Sequence, residues 1–303
     1  LALGNRPTKN DDGVNGLSVK ILPLNGGEFY HYGTSREMIS STLALQNRVY
    51  DQRLIMHRKI KPNPAIFTQN AVIDVPFTED HRNIWIENAH IGKGWRLSGD
   101  HVITGVPEND WQMDLPEGIC IDVVPVDEKN HVVRPYGMDD AFKGDIGLPK
   151  TFWMGRPVGQ WLDERGLSFA DLGGEAVDLQ LASLFPCLAS KAELEKVLRW
   201  MIAGESVSEE GKEIWLRAER FSADELMDRA SLSRLYAQRT ELRKKNYPML
   251  ERNYGKSVFY QLDLGDVAAE YARMELPAPL ALPEESDRMQ RIHNRMLRSY
   301  LFS

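Results

Sequence analysis

Hydrophobic and polar positions change rhythm three times along the chain. Near the start, Leu17-Ser18-Val19-Lys20-Ile21 alternates with period two, and Phe29, Tyr30 and Tyr32 are strand formers, so both stretches predict strands. Residues 4–16, rich in Gly, Asn, Asp and Pro, read as a loop before them. Gly33 then permits a sharp turn, and Thr34 with Glu37 three residues on forms a capping box, so a helix is predicted from Thr34 or Ser35. Met38, Ile39, Leu43 and Leu45 give it a partial apolar face, and Lys61-Pro62-Asn63-Pro64 sets a boundary beyond it.

The second rhythm is shorter. Ile86, Ile91, Leu97 and Val102 or Ile103 recur every five or six residues, with the small residues Ala89, Gly94 and Gly99 between them. That spacing predicts a parallel β-helix, in which each short strand adds a rung and small residues turn the corners. An antiparallel meander is the alternative, but this stretch has neither clean period-two alternation nor Asn-Gly hairpin turns. Ile119–Val126 and His131–Val133 add further strands or rungs, and His90 and His101 are expected on rungs with their side chains toward solvent.

Beyond residue 160 the spacing becomes helical. Ser190 with Glu193 and Ser222 with Glu225 are capping boxes, and Leu194, Val197, Leu198, Met201 and Ile202 make one apolar stripe that stops at Gly204. Ile214 and Trp215 mark a second helix, and Leu226, Ala230, Leu235 and Tyr236 a third. The basic run Arg239–Lys245 is expected to continue an exposed helix face. Pro277, Pro279 and Pro283 predict a stiff linker, followed by an amphipathic last helix through Met289, Ile292, Met296, Leu297, Tyr300 and Leu301.

Charge and composition narrow the function. With 37 basic and 44 acidic residues the net charge is −7, which is not the footprint of a nucleic-acid binder. The longest apolar run, Leu179–Ala189, is broken by Gln180 and Pro186 and is too short to span a bilayer, so no membrane partner is expected. The two cysteines, Cys120 and Cys187, suit neither a disulfide framework nor a zinc site, and a reducing cytoplasm fits best. Leu1 and the residues after it lack the form of a signal peptide, so a processed or truncated chain is expected.

Candidate chemistry centres on residues 28–37. A strand that turns through Gly33-Thr34 into a helix presents backbone N–H groups where an anion could be held, though the same geometry also serves plain packing. His31 is the one histidine at such a place; the seven histidines show no metal-ligand spacing. Arg134–Asp145, with three carboxylates and a lysine, reads as a surface loop, with a metal or sugar hydroxyls as the sharper alternative. Trp153 and Trp161 read as packing glue. No Walker-type loop, His-Glu-x-x-His, Gly-x-Ser-x-Gly or paired Cys-x-x-Cys occurs.

Taken together, Phe29-Tyr30-His31-Tyr32-Gly33-Thr34-Ser35, Ile86-Glu87-Asn88-Ala89-His90-Ile91-Gly92 and Arg134-Pro135-Tyr136-Gly137-Met138-Asp139-Asp140 resemble the fucose-1-phosphate guanylyltransferase part of bifunctional fucokinase/GDP-fucose synthesising enzymes. The resemblance is close over residues 19–160 and less distinctive over 160–303. It implies a mixed fold: residues 1–60 closing an α/β nucleotidyltransferase domain, 61–135 a parallel β-helix, 136–275 mostly α-helical, and 276–303 a linker and amphipathic helix. It further implies fucose phosphorylation by ATP and guanylyl transfer from GTP to fucose-1-phosphate in a larger parent enzyme that uses Mg²⁺. The nucleotide loop is expected before Leu1 and the ATP loop after Ser303, in flanking catalytic domains, which leaves this chain inactive alone and with no cofactor of its own. The substrate-binding residues implied are His31, Gly33, Thr34 and Arg36. No catalytic residue or metal ligand is assigned, because His31 stands where many members place a metal-binding Asp, and an imidazole is a poor Mg²⁺ ligand. A hydrogen bond from His31 to sugar or phosphate is the expectation. The rival reading is a non-catalytic scaffold whose β-helix forms homo-oligomers; a hexapeptide-type acyltransferase fits less well, because no catalytic histidine stands out.

Overall fold

The computed structural model describes residues 17–18, 20–48, 65–172, 177–203 and 209–254, with isolated positions elsewhere. The last amphipathic helix lies outside the described residues, as does the proline-rich stretch before it apart from Pro277. The chain divides into two compact units, Leu1–His31 and Tyr32–Ser303.

In the first unit the described residues from Leu17 on form no regular element; a turn lies at Asn25 and Gly26, where Gly26 has φ +74° and the Gly27 N–H donates to the Leu24 carbonyl at 3.1 Å. The strands expected at 17–21 and 29–32 do not form among the described residues, because a strand needs a neighbour for its N–H and C=O groups and none pairs with them.

The second unit opens with α1 (Ser35–Arg48) and continues into β1 (Ile66–Gln69), β2 (Val72–Ile73), β3 (Ile84–Glu87), β4 (His90–Ile91), β5 (Trp95–Leu97), β6 (His101–Thr104), β7 (Met113–Leu115) and β8 (Ile119–Pro125). These strands form a three-sided parallel solenoid of about three turns. One side stacks β1, β3, β6 and β8, the second β2 and β4, the third β5 and β7, all in parallel. Ile66 pairs with Ile84 and Ile84 with His101, so a coil takes 17 or 18 residues. The five-to-six-residue spacing of the sequence is thus one side of a triangle. Ile84, Ile86, Ile91, Ile103, Leu115 and Ile121 are fully buried inside, and each buried aliphatic side chain contributes roughly 1.5–3 kcal/mol.

Two corners are built from left-handed residues in register. Asn70, Asn88 and Gly105 (φ 51°, 50° and 68°) follow β1, β3 and β6, while Asn83, Asp100 and Gly118 (φ 53°, 57° and 80°) precede or stand between sides on the opposite edge. Asn, Asp and Gly are the residues that reach this conformation at least cost.

The solenoid does not continue through β9 (His131–Gly137). β9 runs antiparallel to β8, with Ile119 opposite Gly137 and Pro125 opposite His131, so the stretch expected to add a further strand or rung adds a strand that closes the stack as a hairpin. Arg134–Gly137, expected in a loop, lies in this strand because its residues pair with β8 throughout. The hairpin β10 (Phe152–Trp153) and β11 (Arg156–Pro157) leads into α2 (Val158–Glu164), followed by a 3₁₀ turn at Phe169–Leu172. Strands β12 (Phe185–Leu188) and β13 (Glu219–Phe221) then extend the first side antiparallel, giving a seven-stranded sheet in the order β1-β3-β6-β8-β9-β12-β13. Helices α3 (Lys191–Ile202), α4 (Glu209–Arg217), α5 (Ala223–Arg229) and α6 (Leu232–Tyr254) complete the unit. The expected caps at Ser190 and Ser222 are present, the second as a full capping box with Glu225.

The tryptophans act as packing. Trp153, Trp161, Trp200 and Trp215 form one cluster with ring centroids 4.5–6.1 Å apart, and Trp161 and Trp215 donate to the Met201 and Leu184 carbonyls at 3.0 and 2.9 Å. Arg165, buried beside them, lies over the Trp161 ring and donates to the Met201 and Ala203 carbonyls at 3.0 and 2.6 Å, capping the end of α3 where the helix dipole favours a cation. One apolar core runs without interruption from the solenoid interior into these helices.

Candidate functional site

His31 is exposed, with its ring 5.8 Å from that of Phe29, and belongs to the first unit. The other three residues expected at the substrate site lie in the second. Thr34 caps α1: its hydroxyl accepts from the Glu37 N–H at 3.1 Å, and the Gly33 N–H donates to the Glu37 carboxylate at 3.1 Å. The turn therefore does hold an anion, the protein's own carboxylate. Arg36, one turn along, forks onto Asp139, with Nε and Nη2 donating at 2.6 and 2.8 Å, and also donates from Nη1 to Asp100 at 3.2 Å. Those hydrogen bonds raise the pKa of Arg36 and hold the Asp139 carboxyl below its usual range. Asp100 is a corner residue that also accepts from the Asn83 amide at 2.8 Å. Arg36 thus ties α1 to the corner of the solenoid.

Within the loop that follows β9, Asp140 is engaged by the backbone: its carboxylate accepts from the N–H groups of Gly137, Met154 and Gly155 at 2.7, 2.6 and 3.2 Å. A cavity of about 400 Å³ beside it is lined by Asp139, Lys143, Lys150, Phe152 and Met154 among others.

The outward face of the first side carries two rows in register. Phe67, Trp85, Val102, Cys120 and Tyr136 make an apolar row that packs against Met38 and Ile39 of α1. Gln69, Glu87, Thr104, Asp122 and Arg134 make a polar row. The last three members of this second row are linked: the Thr104 hydroxyl donates to Asp122 at 2.6 Å, and Arg134 Nη1 donates to the other oxygen of Asp122 at 2.7 Å. The Trp85 indole donates to Glu87 at 3.2 Å, and the Arg134 guanidinium lies 4.6 and 5.1 Å from the centroids of Tyr136 and Phe142. Over the row opens a groove of about 690 Å³, with Val124, Phe142, Leu226 and Leu235 as apolar walls and Gln180 and Asp224 at its polar edge.

The expectation that rung histidines face solvent is corrected. His101 is fully buried, its Nδ1–H donating to the Ile119 carbonyl at 2.8 Å and its Nε2 accepting from the Ser98 N–H at 3.1 Å. His90 is also buried, with Nδ1 accepting from the Asn109 N–H at 3.0 Å and Nε2 facing Asp74 at 3.2 Å. Buried polar groups persist where every donor and acceptor is met, and a solenoid corner supplies backbone partners at the right spacing. Burial pushes the pKa of His101 down to about 4, and that of His131 likewise to about 4. Among the described residues no group of three or more His, Cys, Asp or Glu side chains is arranged to hold a metal, and no helix is long and apolar enough to cross a membrane.

The polar row was missed at the sequence level because its members are 12 to 18 residues apart. The signal that finds it is the coil period itself: Gln69, Glu87, Thr104 and Asp122 stand 17 or 18 residues apart.

Comparison with known proteins adds family membership. The family model described as the fucose pyrophosphorylase domain matches residues 12–190. The chain is 58% identical over 299 residues to a protein of Bacteroides fragilis named L-fucokinase/L-fucose-1-P guanylyltransferase, an alignment covering 99% of this chain and 31% of that protein. The chain therefore spans about a third of the length of the curated relative it matches. No solved structure matches it. The chain belongs to the fucose pyrophosphorylase domain family.

Proposed function

We propose that this chain is part of an L-fucose salvage enzyme that phosphorylates L-fucose with ATP and then transfers a guanylyl group from GTP to fucose-1-phosphate, releasing pyrophosphate. The observation that carries the reading is the 58% identity along 99% of the chain to a relative whose name states both activities. Residues up to about 60 close the guanylyltransferase domain, the solenoid follows, and the helical part leads toward the kinase. In this reading the second unit is a rigid platform. Arg36 positions α1 on the solenoid through Asp100 and Asp139, and so holds the Gly33-Thr34 turn at one edge of the sugar-phosphate pocket. His31 is proposed to hydrogen-bond sugar or phosphate. Mg²⁺ and the nucleotide are held by catalytic parts outside these 303 residues, and the whole works in the cytoplasm.

Pyrophosphate release from GTP and fucose-1-phosphate tests the proposal. The enzyme carrying this chain with its flanking domains is expected to turn over, and the 303-residue chain alone is not. Absence of turnover in the larger protein, or robust turnover by the chain alone, overturns the corresponding part. His31→Ala in the larger protein is expected to raise KM for fucose-1-phosphate with little change in kcat. A second reading is a scaffold that assembles copies of the enzyme through the solenoid. Mass in solution, measured together with ligand binding, separates it: an oligomer without ligand binding favours the scaffold.

A further inference from the structure

We propose that the groove over the Glu87–Thr104–Asp122–Arg134 row is a binding site for an uncharged sugar. Three observations on the groove converge. Its volume, about 690 Å³, is in the range of small-molecule sites. One wall is apolar, formed in part by Leu226 and Leu235, and suits the C–H face of a pyranose ring. The rest of the lining is rich in acceptors that are not used up among the described residues. Among the described residues Glu87 accepts only from the Trp85 indole, and neither the Asp224 side chain nor the Gln180 side-chain amide has a partner.

Charge decides the ligand class. Glu87, Asp122 and Asp224 face the groove against the one guanidinium of Arg134, and that guanidinium is already neutralised by Asp122 at 2.7 Å. The groove keeps a net negative field, which opposes a phosphate or nucleotide at short range, where screening by salt is weak. Hydroxyl groups are donors, so a sugar satisfies carboxylates without charge repulsion, and charge-assisted hydrogen bonds of this kind are among the stronger ones. Arg134 Nη2, which has no hydrogen-bond partner among the described residues, supplies a donor for a ring or hydroxyl oxygen. The row is pre-organised: Thr104, Asp122 and Arg134 hold one another in register, so little side-chain ordering is left for the ligand to bring about.

Free L-fucose is the probe, and this choice alone rests on the proposed function. Saturation-transfer NMR and calorimetric titration of L-fucose into the 303-residue chain are expected to show saturable binding at one site, with fucose-1-phosphate and GTP at least tenfold weaker. Glu87→Gln, which keeps size and removes charge, is expected to weaken L-fucose binding about tenfold while the thermal midpoint stays unchanged, and Asp224→Asn several-fold. Lys129→Ala, in the β8–β9 turn, is expected to leave binding unchanged. No saturable binding of L-fucose or of a panel of other neutral monosaccharides, binding unaffected by Glu87→Gln and Asp224→Asn, or fucose-1-phosphate binding as tightly as fucose would each overturn the proposal. If another neutral sugar binds here and L-fucose does not, the site stands and the salvage reading loses support; if L-fucose binds and the larger protein releases no pyrophosphate, the activity reading fails alone.

Discussion

At the residue scale, two glycines in the left-handed region make a controlled comparison. A Cβ on Gly105 (φ +68°) would lie 2.1 Å from the Val123 carbonyl oxygen, whereas one on Gly118 (φ +80°) meets nothing within 4 Å. Gly118→Ala therefore carries only the backbone cost of the left-handed region, about 1–2 kcal/mol, while Gly105→Ala adds a clash of about 1–3 kcal/mol more. Denaturant midpoints of the two variants check the ordering. His101 and His131 make the second case. Both have folded pKa values near 4 against an ordinary value of 6.5. Between those values the unfolded chain takes up a proton at each position and the folded chain does not. Stability is therefore full above about pH 6.5 and is lost as pH falls toward 4. For His101 the geometry gives the same sign, because a proton on Nε2 would face the Ser98 N–H. Unfolding midpoints at pH 7.5, 6 and 5 are expected to fall in that order, and His131→Gln is expected to make the fall shallower.

Among the elements, α6 shows how the corner is sealed. Its Gln238 amide donates to the Asn88 and Gly105 carbonyls at 2.8 and 2.9 Å, the Asn246 amide donates to the Ala71 carbonyl at 2.6 Å, and Arg243 donates to Asn70. The basic run expected on an exposed face thus contains a buried residue, Arg243, beside a buried Leu242. A charge is tolerated there because the corner asparagine accepts from it. Gln238→Ala leaves two inward carbonyls with one donor fewer, an expected cost of about 1–3 kcal/mol. Hydrogen exchange should show faster opening of α6 and of the corner residues, with the solenoid interior unchanged. Faster exchange throughout would mean that the helix and the solenoid open together.

For the molecule as a whole, the core that runs from the solenoid interior into the helices predicts one cooperative transition for the two. Ile103→Ala in the solenoid should cost about 2–5 kcal/mol and Trp215→Ala in the helical half about 3–5 kcal/mol. Both should shift the same transition, followed by near-ultraviolet circular dichroism and by tryptophan fluorescence. Two separated transitions would show that solenoid and helices fold independently.

What the residues determined by themselves was local. Capping at Thr34, Ser190 and Ser222, the five-to-six-residue spacing of the solenoid and the apolar stripe of α3 are all short-range patterns, and they formed as read. The reversal of β9, the burial of His90 and His101, the joining of β12 and β13 to the solenoid sheet and the polar row from Gln69 to Arg134 were decided only in three dimensions. Each depends on partners one coil or more away, and a short window of sequence carries no record of which strand will lie beside it. The turn at Gly33 and Thr34 belongs to both levels: its cap is written in four residues, but the role of Arg36 beside it was set by Asp100 and Asp139, brought to it by the corner of a coil and the loop after β9.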